Sequence, residues 1–93
     1  MTIRPTSELK MQLKYFAWVR ERVGRADEAV VLPETVKTIA DLVAWLKTRG
    51  PEYEHAFDRP EFVRAAIDQA HVKASATVAG AREIAFFPPV TGG

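Results

Sequence analysis

Residues 38–47, TIADLVAWLK, decide the fold, because they form the clearest helical pattern in the sequence. Thr38 and Asp41 have the spacing of a capping box, with Asp in place of the more usual Glu, and Gly50 with Pro51 should end the helix. Apolar residues three and four positions apart form one face: Ile39, Leu42, Val43 and Leu46. We expect this face to be buried. One amphipathic helix can cover one face of a sheet, which predicts a two-layer α+β domain.

The chain before this helix predicts two strands joined by a short helix. Apolar and polar residues alternate over residues 10–16, which predicts the first strand. Residues 17–23 have helical spacing, and Gly24 stands where a helix C-cap favours glycine. Residues 28–32 are rich in valine and predict the second strand, ended by Pro33.

The chain after the helix predicts an irregular segment and three more strands. Residues 52–60 lack a clear period, and we expect them to form irregular helix that plugs one end of the core. Asp68-Gln69 is the predicted turn of a hairpin, because Asp tolerates positive φ. The Pro88-Pro89 pair must end the last strand, because proline cannot donate to a strand ladder. The predicted strands are residues 62–67, 70–75 and 83–87.

Length and composition restrict the class of protein. The chain has 93 residues, 47% of them hydrophobic, which is the size and composition of one folded domain. The net charge of +1 argues against nucleic-acid binding, and the lack of cysteine excludes disulfides, thiolate metal sites and cysteine nucleophiles. Residues 1–9 have no periodic pattern, and we expect them to form a loosely held N-terminal arm. With no apolar run long enough for a signal or a membrane span, we expect a cytoplasmic protein without a membrane partner.

The charged side chains show no catalytic pattern. His55 and His71 lack the spacing of metal ligands, so we expect surface roles for both and no bound metal. The adjacent carboxylates Asp27 and Glu28 are predicted to be solvated. Residues 20–25 carry three arginines around one glutamate, which is typical of a solvated helix face, although such a face could dock an acidic partner.

The last residues of the chain, 86–93, read FFPPVTGG and form the most specific pattern in the sequence. Two prolines hold the exit from the last strand stiff and extended, and two glycines end it without side chains, so the tip could enter a narrow channel. Fully extended, residues 88–93 would span roughly 20 Å. The reactive group would then be the α-carboxylate of Gly93. A bare Gly-Gly could also be a frayed end, but the aromatic strand and the proline pair before it make this arrangement more specific.

These motifs resemble those of the MoaD/ThiS family of sulfur carriers, and specifically the small subunit of molybdopterin synthase. The resemblance covers residues 10–93, and residues 83–93, EIAFFPPVTGG, carry most of it. Residues 16–24, FAWVRERVG, give a second match. Two positions depart from the family pattern: Asp68 stands where the family often has Asn, and residues 79–82, AGAR, stand where it tends to have Asp-Gly-Asp.

The resemblance implies a fold and a reaction. The fold would be a ubiquitin-like β-grasp over residues 10–87, with a mixed sheet, one main packed helix and a tail over residues 88–93. An ATP-using, ubiquitin-activating-type adenylyltransferase would adenylate Gly93, and a sulfur donor protein would supply the sulfur of a C-terminal thiocarboxylate. That sulfur would pass to cyclic pyranopterin monophosphate in the large subunit of a heterotetrameric synthase. The chain would bind no cofactor and would not be an enzyme alone. The residues implied to contact the partner are Phe86, Phe87, Pro88, Pro89, Val90, Thr91 and Gly92.

Three other functions remain open from the sequence. The chain could be the sulfur carrier of thiamine thiazole synthesis, although those chains are typically shorter. It could be a ubiquitin-like modifier that joins Gly93 to lysine, which would produce conjugates visible on a denaturing gel. It could be a protein-binding domain with an incidental tail, in which case deleting Gly92 and Gly93 would leave function intact.

The alternation of side chains along the last strand separates its two aromatic residues. Ile84 and Phe86 must lie on one side of the sheet, with Ala85 and Phe87 on the other. One of Phe86 and Phe87 should fill the core under the helix, and the other should be partly exposed and available to the large subunit. The sequence alone does not say which, although the position of Phe86 on the same side as Ile84 slightly favours Phe86 as the core residue. Alternatively, the segment around Phe57 could bury both rings within the domain.

Overall fold

Five strands and three α-helices make up residues 10–89, the part of the chain that the computed structural model describes. The predictions for residues 1–9, and those for Val90, Thr91, Gly92 and Gly93, lie outside this range. One turn of 3-10 helix, Pro60–Phe62, precedes the third strand. The elements are β1 (Met11–Tyr15), α1 (Ala17–Val23), β2 (Asp27–Val30), α2 (Ile39–Lys47), α3 (Pro51–Ala56), β3 (Arg64–Ile67), β4 (Ala70–Val72) and β5 (Glu83–Phe87).

The strands form one mixed sheet in the order β2-β1-β5-β3-β4. β1 is antiparallel to β2 and parallel to β5, while β3 is antiparallel to both β5 and β4. The predicted α+β mixed sheet is confirmed. Although β5 comes last along the chain, it lies in the middle of the sheet with a hydrogen-bonded neighbour on each side. The last described strand is therefore held by hydrogen bonds on both sides.

The capping box of α2 is present as predicted. The Asp41 amide donates to Thr38 Oγ1 over 3.1 Å, and the Thr38 amide donates to Asp41 Oδ2 over 3.2 Å. The Lys37 amide also donates to that carboxylate, and the backbone hydrogen bonds from Lys37 and Thr38 lower the pKa of Asp41. These contacts satisfy amides that would otherwise lack partners at the start of the helix. Pro51, predicted to end α2, also begins α3, since the first helical position needs no amide donor.

The covered face of the sheet packs against the helices and carries the core. Leu42 and Leu46 of α2 are fully buried, as predicted, but the prediction that Val43 is buried is wrong. Val43 is only partly buried: it packs against the core but also lines a groove of about 430 Å³ between α2 and the strands β3 and β4. The largest fully buried side chains are Tyr15, Phe57, Phe86, Leu13, Leu42, Leu46, Ile84 and Val19.

The hairpin between β3 and β4 turns at the predicted residues. Asp68 has φ +49° and Gln69 has φ +74°, so both lie in the left-handed region that a type I′ turn requires. Asp68 Oδ1 also accepts hydrogen bonds from the amides of Arg82 and Glu83, each at 3.0 Å. The turn therefore fixes the start of β5 as well as the hairpin.

Several strands are shorter than predicted. β4 ends at Val72 instead of residue 75, because the chain then crosses to α2, where the Ala40 amide donates to the Ala74 carbonyl over 2.9 Å. β2 ends at Val30 instead of residue 32, and Phe62 belongs to the 3-10 turn instead of a strand. The prediction for α1 is confirmed, with Gly24 at φ +89° as its C-cap.

The segment after α2 closes one end of the core, as predicted. Tyr53 is 3% exposed and Phe57 is fully buried. Phe62, in the turn that follows, instead leaves 47% of its surface exposed. Residues 52–60 are therefore more regular than predicted, since α3 accounts for most of them.

Candidate functional site at the end of the last strand

Phe86 anchors the end of β5 in the core. Its side chain is fully buried, and its ring packs edge-on against Phe57 with the ring centres 5.0 Å apart. The Tyr15 ring stacks beside it at 6.2 Å. The structure thus decides that Phe86 is the core member of the aromatic pair, the alternative that its side of the strand slightly favoured. The strand cannot slide without breaking this packing.

Phe87 lies on the opposite, open face of the sheet and is half-buried. It pairs in register with Arg64, and its ring centre lies 5.1 Å from that of His71 on β4. The neighbouring positions on this face carry small side chains, Ala66 and Ala85, which lie outside the main core. The open face thus presents one aromatic side chain in a shallow surrounding.

More aromatic residues gather where β5 ends. The Phe16 amide donates to the Phe86 carbonyl over 3.0 Å, and the Phe16 side chain is 46% exposed. Trp18 and Phe62 line a surface cleft together with Pro88 and Pro89. The sequence-based prediction missed these residues, because only the parallel pairing of β1 with β5 brings the end of β1 beside the exit of the chain.

Glu28 forms a polar cluster on the covered face, where the prediction of a solvated carboxylate is wrong. Its side chain is only 7% exposed. It accepts hydrogen bonds from the hydroxyls of Tyr15 at 2.8 Å and Tyr53 at 2.6 Å. It also forms ion pairs with Arg25 at 3.2 Å and Arg49 at 3.1 Å. The cluster joins β1, β2 and the helical segments around α3.

The pKa shifts in this cluster follow from burial and hydrogen bonding. Burial by itself would raise the pKa of Glu28, but the hydrogen bonds from Tyr53 and Tyr15 and the charge of Arg49 outweigh it and lower the pKa. Burial, followed by the hydrogen bond to Glu28, raises the pKa of Tyr15. Burial and Glu28 raise the pKa of Tyr53 in the same way. Such a closed set of contacts stabilises the fold and leaves no free group for catalysis.

Residues 10–89 contain no cluster of three His, Asp or Glu side chains that could hold a metal ion. In the same range, no helix has the length and apolar character to cross a bilayer. Of the residues implied to contact a partner, Phe86 is fully buried and positions the strand instead, whereas Phe87, Pro88 and Pro89 are partly exposed at the end of β5. Val90, Thr91, Gly92 and Gly93 lie outside the described range. As far as Pro89, where the described part of the chain ends, this arrangement has no reactive group of its own. It can hold the first residues after β5 in a fixed position.

Comparison with known proteins places this geometry in a family. The model of the ThiS family matches residues 13–93, which include the sheet except for the first two residues of β1, the proline pair, and Gly92 and Gly93. The chain belongs to the ThiS family. A search of curated proteins returns no match to it.

Solved structures similar to this ThiS-family chain agree on the fold. A Pyrococcus furiosus protein named as molybdopterin converting factor, subunit 1, is 26% identical, with a TM-score of 0.68 over 87% of this chain and 98% of that one. SAMP1 from Haloferax volcanii is 22% identical, with a TM-score of 0.66 over 90% of this chain and 99% of that one. The small archaeal modifier protein 1 of Methanosarcina acetivorans is 19% identical, with a TM-score of 0.65 over 90% and 96% of the two chains. The predicted ubiquitin-like β-grasp is confirmed, and the chain is a small domain of the sulfur-carrier or modifier type.

Proposed function

We propose that this ThiS-family chain is the sulfur carrier subunit of molybdopterin synthase. In this proposal Gly93 is adenylated, converted to a thiocarboxylate, and donates its sulfur to cyclic pyranopterin monophosphate. The chain supplies no catalytic side chain. Its contribution is to carry the reactive end into active sites that belong to other proteins.

The observation that carries the proposal is the exit of the chain from β5. β5 is held on both sides by β1 and β3, and Phe86 is fully buried. Pro88 and Pro89 follow at once, and the family match continues through Gly93. An end attached to such a rigid base can enter a partner without disturbing the domain. The four residues after Pro89 would reach about 14 Å when extended.

The reaction explains why a chain without cysteine could carry sulfur. A carboxylate is a poor electrophile, because it has no good leaving group. When the carboxylate of Gly93 attacks the α-phosphorus of ATP, pyrophosphate leaves and an acyl adenylate forms. Hydrosulfide supplied by the donor protein then attacks the acyl carbon and AMP leaves as the acyl–oxygen bond breaks, so that loss of the S–H proton gives the thiocarboxylate. ATP would be bound by the activating enzyme and not by this chain.

The partners follow from this sequence of steps. We propose a ubiquitin-activating-type adenylyltransferase, a sulfur donor protein and the large synthase subunit. Phe87 supports the proposed contact with the large subunit, because it is half-buried on the open face immediately before the tail. An aromatic side chain in that position is typical of a protein interface.

The deciding experiment is intact-mass analysis of the protein purified from its own cells. We expect the mass gain of one oxygen-to-sulfur exchange, localised to Gly93 by fragmentation. The purified thiocarboxylate, mixed with the large subunit and cyclic pyranopterin monophosphate, should then yield molybdopterin. Absence of any sulfur gain under conditions of active molybdenum cofactor synthesis would contradict the proposal.

Experiments on the same purified protein would also reveal either of two other functions. Structural likeness to archaeal modifier proteins is the observation that favours a ubiquitin-like modifier as the second candidate. In that case Gly93 would be found in isopeptide bonds to lysine, and denaturing gels would show conjugates of higher mass. Thiocarboxylate that supports thiazole synthesis, but no molybdopterin, would assign the chain to the thiamine pathway.

A further inference from the structure

A cleft lies beside the point where the chain leaves β5. We call it the tail-root cleft. It has a volume of about 690 Å³. α1 forms one wall, and the segment after α3 with the 3-10 turn forms the other. Its lining residues are Trp18, Arg22, His55, Asp58, Arg59, Phe62, Pro88 and Pro89.

Two arginines in the tail-root cleft are supported by aromatic rings. The Arg22 guanidinium lies 4.6 Å from the centre of the Trp18 ring, and the Arg59 guanidinium lies 5.8 Å from the centre of the Phe62 ring. Stacking on a ring face leaves the edge of a guanidinium, with its N–H donors, available to carboxylates. The cleft therefore presents guanidinium N–H donors beside aromatic rings.

The charge of the cleft is not neutralised by the domain. Within residues 10–89, Arg25 and Arg49 are engaged by Glu28, whereas neither Arg22 nor Arg59 forms an ion pair. Asp58 is the single acidic residue among those that line the cleft. The balance is positive, which favours a ligand that carries carboxylates.

The cleft also exposes apolar surface. Phe62 is 47% exposed, and it is one of three large hydrophobic residues in residues 10–89 that are exposed. Aromatic residues and arginine are the types most enriched at the centres of protein interfaces. Charge and aromatic surface together fit an acidic protein segment that also carries an apolar side chain.

We propose that the tail-root cleft binds an acidic segment of the enzyme that activates the tail. This inference rests on the proposed function. Pro88 and Pro89 belong both to the cleft and to the base of the tail, so a protein that encloses residues 90–93 must lie against the cleft. The contact is separate from Phe87, which lies on the open face. The helical side of the domain thus supplies a second, electrostatic contact at the tail.

The test compares two charge-reversed double variants. Arg22→Glu with Arg59→Glu reverses the cleft, while Lys47→Glu with Lys73→Glu makes the same charge change at the groove beside α2. The probe is the ATP-dependent activating enzyme from the same cells. Its affinity is measured by calorimetry at low and high salt, and loading of Gly93 is followed by intact mass.

We expect the cleft variant to bind at least 10-fold more weakly at low salt, with a smaller salt dependence than the wild type. The groove variant should bind as the wild type does. Equal affinity of the two variants would overturn the proposal. A stronger complex for the cleft variant would also overturn it, because it would mean that the arginines hold the chain's own terminal carboxylate.

Further readouts separate this proposal from the proposed function. A wild-type chain that binds the enzyme but gains no sulfur would contradict the proposed function, while the cleft is still judged by the affinities. If the glutamate variant melts early, Arg22→Gln with Arg59→Gln keeps the size of the side chains and removes their charge. Specific binding of a single-stranded oligonucleotide, lost in the cleft variant, would assign the cleft to nucleic acid and overturn the proposal.

Discussion

The two faces of the sheet differ most where β5 ends. On the covered face, Phe86 is fully buried against Phe57 and Tyr15. On the open face, the next residue, Phe87, is half-buried and contacts the ring of His71. Two identical side chains, adjacent in sequence, thus face different surroundings. The covered face holds the exit of the chain in place, and the open face remains available to a partner.

The largest loss of stability should come from a substitution on the covered face. Phe86→Ala removes a ring that is completely enclosed, so it should lower the free energy of unfolding by about 3–5 kcal/mol through lost burial and a residual cavity. A domain of this size has a free energy of unfolding of roughly 5–10 kcal/mol in total, so the variant should be close to unfolding. Thermal and urea denaturation would measure the change. A loss below about 1 kcal/mol would mean that Phe86 is not a core residue.

The second-largest loss of stability should come from the Glu28 cluster on the covered face. Glu28→Gln keeps the shape of the side chain but removes the charge that Arg25 and Arg49 pair with, and it weakens the hydrogen bonds of Tyr15 and Tyr53. We expect a loss of about 1–2 kcal/mol, because Glu28 is nearly enclosed and hydrogen-bonded, while Arg25 and Arg49 are partly exposed and lose less. The matched control is Asp27→Gln on the exposed neighbour, which should stay within about 0.5 kcal/mol of the wild type. Similar losses of stability for both variants would contradict the stabilising role of the Glu28 cluster.

The same cluster predicts how stability changes with pH. The pKa of Glu28 is lower in the folded chain, so its contribution is complete above the unfolded value of about 4.3 and is lost as pH falls through the folded pKa. The pKa of Tyr15 is raised, so its contribution is complete below about 10 and is lost as pH rises further. Glu28→Gln should flatten the acid limb of the curve of melting temperature against pH. An unchanged acid limb would show that other carboxylates control it.

A substitution on the open face should weaken partner binding more than it lowers stability. Phe87→Ala should cost about 1 kcal/mol or less of stability, because the ring is only half-buried. Binding to the large subunit should nevertheless weaken about 10-fold or more, as for an interface aromatic residue. Comparison with Phe86→Ala at a temperature where both variants stay folded separates the two effects. A Phe87 variant that unfolds like the Phe86 variant, but binds normally when folded, would remove the distinction between the faces.

The smallest effect on stability should come from the tail. One residue added after Gly93 should change the free energy of unfolding by no more than about 0.5 kcal/mol, as for surface changes in general. Sulfur loading should nevertheless be abolished, because the α-carboxylate is moved from the terminal glycine. Intact mass after incubation with the activating enzyme, ATP and the sulfur donor measures this. Normal thiocarboxylate formation on the extended chain would contradict the assignment of Gly93.

Elements with a strong local pattern could be predicted from the sequence. The face of α2, the capping box and the proline pair depend on residues within a few positions of one another, and local chemistry is enough to place them. The turn at Asp68 and Gln69 was predictable for the same reason. The ends of β2 and β4 were not, because they are set by where the chain crosses to another element.

The sequence by itself determined the layering of the domain and the limits of β5, and the Gly-Gly motif is the basis of the proposal that Gly93 reacts. Only the tertiary structure decided that β5 lies between β1 and β3, that Glu28 is enclosed by Tyr15 and Tyr53, and that Val43 lines a groove. It also brought Trp18 and Phe62 to the base of the tail. The physical reason is the distance along the chain. Periodicity and caps act between near neighbours, whereas the surroundings of a charge or a ring depend on residues that meet only when the sheet and helices pack.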